Sequence, residues 1–144
     1  MRLWHYKLLP YLPEAQFKGQ LRELVAIMHD WRDKGKTNHL LINRVMDYPR
    51  ADLSSYFWLY DKQYGERFGK EHEFFENEFF EFAGNGHFTQ TPFEGWHDKR
   101  YLRVCMANLY EKSLVGVGKS QISCREWQKL VDGYKSITGE DYEL

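Results

Sequence analysis

The chain has little of what usually staples, anchors or steers a protein. Two cysteines in 144 residues cannot build a disulfide framework. Cys105 and Cys124 lack metal-type spacing and read as reduced thiols of a cytosolic protein. The longest apolar runs are a few residues, far short of the roughly 20 needed to span a membrane. The start carries one basic residue but no extended apolar stretch or small-residue cleavage site, so no signal peptide is expected. Excess charge is missing too: the net value is -1, which argues against a strong, nonspecific nucleic-acid binder. No convincing strand alternation, internal repeat or linker is visible.

Aromatics, by contrast, make up 17% of the residues, and a chain of this length can bury a ring-rich core in one domain, residues 1–144. Charge is uneven along it. Residues 1–50 hold nine Lys/Arg and five Asp/Glu, residues 51–95 three and nine, and residues 96–144 eight and seven. That pattern fits either a basic face opposite an acidic one or uneven surface decoration.

The periodicity predicts an all-α, compact single-domain bundle of about five to six helices. Residues 1–12 are apolar and aromatic and are expected to be tied to the body. Pro13 suits a first helical turn, and Phe17, Leu21, Leu24, Met28 and Trp31 form a stripe ending near Gly35. Asn38 is a candidate cap for a short helix to Val45, closed by Pro49, and Asp52 for a longer one. Residues 71–83 read as an acidic helix burying Phe74, Phe75, Phe79 and Phe82. A loop over 84–96 leads to a helix from about Asp98 to Leu114, broken by Gly116-Val117-Gly118. Ser123 and Glu126 make a capping box for a last helix to about Ile137.

On the first helix Glu23 falls roughly 120° from the centre of the apolar stripe. Its neighbours one turn away are Gly19 and Ala26, small enough to let a ligand approach; Gly19 is equally suited to close helix packing. Lys18, Arg22 and His29 form a basic line on the next strip, able to follow a phosphate backbone. Six histidines show no helical ligand spacing, and Glu71-His72-Glu73 offers only a loose cation site, so no metal is expected. In Trp96-His97-Asp98-Lys99-Arg100-Tyr101 and Arg103, rings alternate with charge; such a segment can stack on bases and hold phosphates, or anchor its helix to the core.

Two segments together give these residues a family. Met1-Arg2-Leu3-Trp4-His5, followed by Leu9-Pro10-Tyr11-Leu12-Pro13, and Gly19-Gln20 before Arg22-Glu23-Leu24, resemble the phage-type pyrimidine-dimer DNA glycosylase and abasic-site lyase family, and still more its bacterial relatives. The clear likeness covers about the first third of the chain. It implies a DNA repair enzyme for damaged duplex DNA, with no cofactor, acting through a Schiff base on the N-terminal α-amine; a cytoplasmic monomer is expected. The catalytic residues it implies are Met1 and Glu23. DNA contacts are expected from Arg2, Arg22, Lys18, His29, Lys99, Arg100 and Arg103.

The chemistry suits those groups. An α-amine has an ordinary pKa near 7.7–8.0, so a useful fraction is neutral and nucleophilic at pH 7. The Arg2 charge beside it is expected to lower that value further. The chain departs from the phage pattern in three places. Arg2, a bulky second residue, is expected to leave Met1 in place, where the phage enzyme exposes a threonine. Ala26 stands where that pattern has another arginine. The end, Gly139-Glu140-Asp141-Tyr142-Glu143-Leu144, is acidic where the phage tail is basic. The competing reading is a non-catalytic helical domain on the same scaffold that binds nucleic acid or protein.

Overall fold

The computed structural model describes residues 2–115 and 118–144. It is 69% helical and has no strand among the described residues. The longest helix, α1 (Glu14–Lys34), is preceded by Pro13 as its N-cap and ends at Gly35, whose φ of 72° lets its N–H reach the Trp31 carbonyl. Pro13 thus stands just before the first turn, and Glu14 sits inside it, near the positive end of the dipole. Phe17, Leu24, Met28 and Trp31 are buried as the stripe predicts, with Ile27 added, while Leu21 is only partly covered.

Beyond α1, a 3-10 turn (Ile42–Asp47) leads to Pro49, the N-cap of α2 (Arg50–Phe68). Two expected caps are corrected. Asp52 lies inside the first turn of α2, where its carboxylate accepts the Phe93 amide at 2.9 Å and pins the following loop. Asn38 caps nothing, because the turn starts four residues later and is braced instead by Asn43. Helix α3 (Glu73–Ala83) buries Phe79 and Phe82, but Phe74 is 72% exposed. One helix face cannot point all of its rings inward, and α3 packs mainly on α2 and α1.

Helix α4 (Lys99–Val115) follows the loop. The expected break at Gly116-Val117 lies outside the described residues; Gly118, at φ 61°, opens a 3-10 turn (Gly118–Ser120). The capping box of Ser123 and Glu126 forms as expected and starts α5 (Cys124–Thr138).

The N-terminal segment is not a loose flap. Its 3-10 turn (Tyr6–Tyr11) packs on α2 and α5, and Leu3, Leu8, Leu9 and Leu12 belong to the same core as Tyr56, Met106 and Tyr134. Gly133 on α5 lets the Tyr11 ring sit against the helix backbone; a β-carbon there would collide with that ring. No helix among the described residues is long and apolar enough to cross a membrane.

Candidate active site

The start of the chain is held by side chains from three helices. Gln20, fully buried on α1, accepts the Trp4 amide at 2.8 Å and donates to the Arg2 carbonyl at 2.8 Å. Tyr56 on α2 donates to the Trp4 carbonyl, and Tyr101 on α4 donates to the Leu3 carbonyl, each at 2.5 Å. Buried backbone groups left unpaired are costly, so an extended segment outside any sheet needs such partners. Here they also fix where the chain begins.

The Arg2 amide is the key contact: it donates to Glu23 Oε2 at 2.9 Å. Gln20 Nε2 stands 3.4 Å from the same oxygen. Met1 itself lies outside the described residues.

Glu23 is partly buried, and burial raises its pKa above the ordinary carboxylate value. The Arg2 hydrogen bond and the positive charges of the N-terminus, Arg2 and Arg22 oppose that rise without cancelling it. A carboxyl group whose pKa is lifted in this way is better able to hold and pass a proton than an exposed one.

Around this carboxylate opens a cleft of about 390 Å³, lined among others by Arg2, Trp4, Gly19, Arg22, Glu23 and Lys112. Gly19 lines it without a side chain, and a β-carbon there would make ordinary contact with an Arg22 guanidinium nitrogen at 3.7 Å. The Arg2 guanidinium lies 5.0 Å from the Trp4 ring centroid. Arg2, Arg22 and Lys112 have no side-chain ion pair among the described residues. Three such cations around a concavity form a binding surface for an anion with several charges, such as adjoining phosphates.

The other expected DNA contacts lie elsewhere. Lys18 pairs with Glu14 at 3.8 Å and sits over Phe68. His29 Nε2 lies 3.1 Å from Glu78 on α3, which also takes Arg32 at 3.0 Å. Lys99 pairs with Glu140 at 2.5 Å. Arg103 donates to the Glu143 carbonyl at 2.8 Å and sits over Tyr142. Arg100 is exposed and lines a second groove with Arg103 and Tyr142. The structure thus gathers Arg2, Arg22 and Glu23 in one cleft and leaves Lys18, His29, Lys99, Arg100 and Arg103 outside its lining.

Sequence reasoning missed Gln20, Tyr56, Tyr101 and Lys112. Gln20 had a signal: it falls three residues after Phe17 and four before Leu24, on the inward face of α1. Tyr56 looks like an ordinary core ring until its hydroxyl is traced, and Tyr101, in a segment expected to stack on bases or anchor its helix, shows its hold on the Leu3 carbonyl only in the tertiary structure. Lys112 has no local signal, since it comes from α4, far along the chain from the other cleft residues, and only the tertiary fold brings it in.

Beneath the segment His5 and His97 stack, with ring centroids 5.1 Å apart. His5 Nδ1 accepts the Lys7 amide at 3.1 Å and His97 Nδ1 accepts the Tyr6 amide at 3.2 Å. Each ring is thereby held neutral with its proton on Nε2. Burial lowers the His5 pKa to about 4 and pushes His97 well below its ordinary value. Burial also raises the Cys105 thiol to about 11, so it stays protonated in the core. Among the described residues no group of three His, Cys, Asp or Glu side chains could hold a metal ion, and His72 instead pairs with Asp61 at 2.8 Å.

The family profile described as pyrimidine dimer DNA glycosylase matches residues 1–77, more than half of the chain. That span includes Arg2, Gln20, Arg22, Glu23 and Tyr56; Tyr101 and Lys112 lie beyond it. No curated protein and no solved structure matches the chain.

Proposed function

The chain belongs to the pyrimidine dimer DNA glycosylase family, and we propose that it removes a damaged pyrimidine from duplex DNA and then cuts the abasic strand through a Schiff base on the Met1 α-amine. The observation that carries this reading is the 2.9 Å hydrogen bond from the Arg2 amide to Glu23. It ties the only peptide unit that bears the first amine to a carboxyl group of raised pKa.

In the proposed sequence the neutral amine attacks C1′ of the damaged nucleotide. The new C–N bond replaces the glycosidic bond, and the base leaves with its electron pair and takes up a proton. Glu23, protonated, gives its proton to the ring oxygen O4′ as the C1′–O4′ bond opens and the nitrogen lone pair forms the imine. As a carboxylate, Glu23 then accepts a proton from C2′. The C2′–H electrons form a double bond to C3′, and the 3′-phosphate departs with the C3′–O pair. Water releases the unsaturated aldehyde and regenerates the amine. Each transfer needs one group that holds and yields a proton near neutral pH.

Arg2, Arg22 and Lys112 are suited to gripping the phosphates that flank the reacting sugar. They would hold the duplex while a nucleotide leaves the stack, which costs a few kcal/mol. Lys18, His29, Lys99, Arg100 and Arg103 remain proposed as weaker, more distant DNA contacts.

Borohydride reduction tests the reading directly. The untagged protein is incubated with UV-irradiated or abasic duplex DNA and reduced, and the adduct is mapped by peptide mass. A covalent link at the N-terminal amine is the expected result. Tight binding without any adduct would leave a non-catalytic DNA-binding domain in its place.

A further inference from the structure

Leu40 and Leu41 are 88% and 87% exposed, more than any other large apolar side chain described. Single exposed leucines are ordinary on a protein surface. An adjacent pair held outward by a braced turn is different. Thr37, 4% exposed, donates its amide and its hydroxyl to Asn43 Oδ1, each at 2.8 Å. Its hydroxyl oxygen accepts the His39 amide at 3.1 Å, and Asn43 Nδ2 donates to the Thr37 carbonyl at 3.2 Å. The Ile42 and Asn43 amides both donate to the His39 carbonyl. The tip is therefore ordered before any partner arrives, which lowers the entropic cost of docking.

Its surroundings are cationic. Between Asp33 and Asp47 the sequence holds Lys34, Lys36 and Arg44 and no carboxylate. Lys34 pairs back to Asp30 at 3.5 Å, while Lys36 and Arg44 are exposed with no ion pair among the described residues. Asp33 is engaged by Arg32 at 2.8 Å.

The turn also connects to the cleft. Arg44 lies 5.7 Å from the Trp96 ring centroid, and Trp96 stands 5.3 Å from the Tyr101 ring. Tyr101 in turn holds the Leu3 carbonyl. Burial raises the pKa of the Tyr101 hydroxyl, and the charges of Arg2 and Arg44 both act in the opposite sense. Arg2 of the cleft and Arg44 of the turn thus flank one tyrosine.

An apolar tip rimmed by cations complements duplex DNA. Its phosphates meet the cations, and a gap between base steps accepts leucine side chains. We propose that Leu40 and Leu41 are a wedge that enters the base stack beside the lesion and keeps the duplex kinked during the reaction. This rests on the DNA-repair reading above and adds how the substrate is opened.

The test uses the full-length untagged protein and the double variant Leu40→Ser/Leu41→Ser. Both side chains are exposed, so the melting temperature should not move. Two readouts are taken: borohydride trapping on an abasic duplex and on an abasic single strand, and fluorescence of 2-aminopurine placed beside the lesion. Trapping on the duplex should fall at least about 10-fold, because unstacking costs a few kcal/mol, while trapping on the single strand stays near that of the wild type. The fluorescence rise caused by the wild type should be lost. A Leu40→Met/Leu41→Met variant should keep both. A serine variant with unaltered duplex trapping and fluorescence, or with equal losses on both substrates, overturns the wedge. If the wild type traps neither substrate, the catalytic reading falls and the fluorescence decides alone: a rise abolished by serine supports the wedge, and no rise overturns it.

Discussion

The Arg2 amide donates to Glu23 Oε2 across 2.9 Å, and so the start of the described chain is tied to a carboxyl group of raised pKa. Both partners are held from behind. Gln20 fixes the Arg2 carbonyl and the Trp4 amide, while burial on α1 raises the Glu23 pKa.

Glu23→Gln preserves an acceptor for the Arg2 amide but cannot pass protons. Single-turnover cleavage of abasic duplex should fall about 10²- to 10⁴-fold, the usual contribution of a general acid or base. Affinity for the same duplex, measured by fluorescence anisotropy, should change little. Near-normal cleavage would remove Glu23 from the chemistry.

Gln20→Leu leaves the Trp4 amide and the Arg2 carbonyl without partners. Each unsatisfied buried group costs about 1–3 kcal/mol, so chemical denaturation should show a loss of that order. The segment that carries the proposed amine then loses its Gln20 contacts, and kcat should drop more than KM rises. Tyr101→Phe, which frees the Leu3 carbonyl but leaves both Gln20 contacts in place, should give a smaller loss of the same kind.

Lys112→Ala should weaken DNA binding without altering the melting temperature, because the side chain lines the cleft and has no ion pair among the described residues. One lost phosphate contact lowers the slope of log affinity against log salt by about 1. An unchanged slope would place Lys112 outside the DNA path.

Acid should destabilise the fold through the buried histidines. His5 has an ordinary pKa of 6.5 but about 4 in the folded protein. Between those values the unfolded chain binds the extra proton, so stability is fully present above about pH 6.5, declines as the pH falls, and levels off for His5 below about 4. That shift corresponds to about 3 kcal/mol for His5, and His97 acts in the same direction. Thermal melts from pH 7.5 to 4 should show the decline. His5→Asn, which keeps an acceptor for the Lys7 amide, should flatten it. A melting temperature independent of pH over this range would contradict the neutral pair.

Much of the architecture was legible in order of residue number. The α1 stripe, the capping box of Ser123 and Glu126, and the loop over 84–96 all follow from interactions within a few residues of each other. The short 3-10 turns were not legible, and Asp52 was misread as a cap because its partner, Phe93, comes from a distant loop. Leu40 and Leu41 looked like part of a short helix, and only the bracing by Thr37 and Asn43 shows them as an exposed tip.

By itself the sequence determined that the chain is helical, where its longest helix runs, and that Glu23 lies at the flank of that helix with small neighbours. Its opening residues also carried the family. Local periodicity and capping suffice for this, because they depend on contacts one or two turns apart. Tertiary structure alone decided which cations share the cleft with Glu23, bringing Lys112 in from α4 while Lys18 and His29 pair with carboxylates. It also decided how the chain's start is held, since Gln20, Tyr56 and Tyr101 reach that segment from three separate helices. Hydrogen bonds between residues far apart in the chain exist only once the core has brought those helices together.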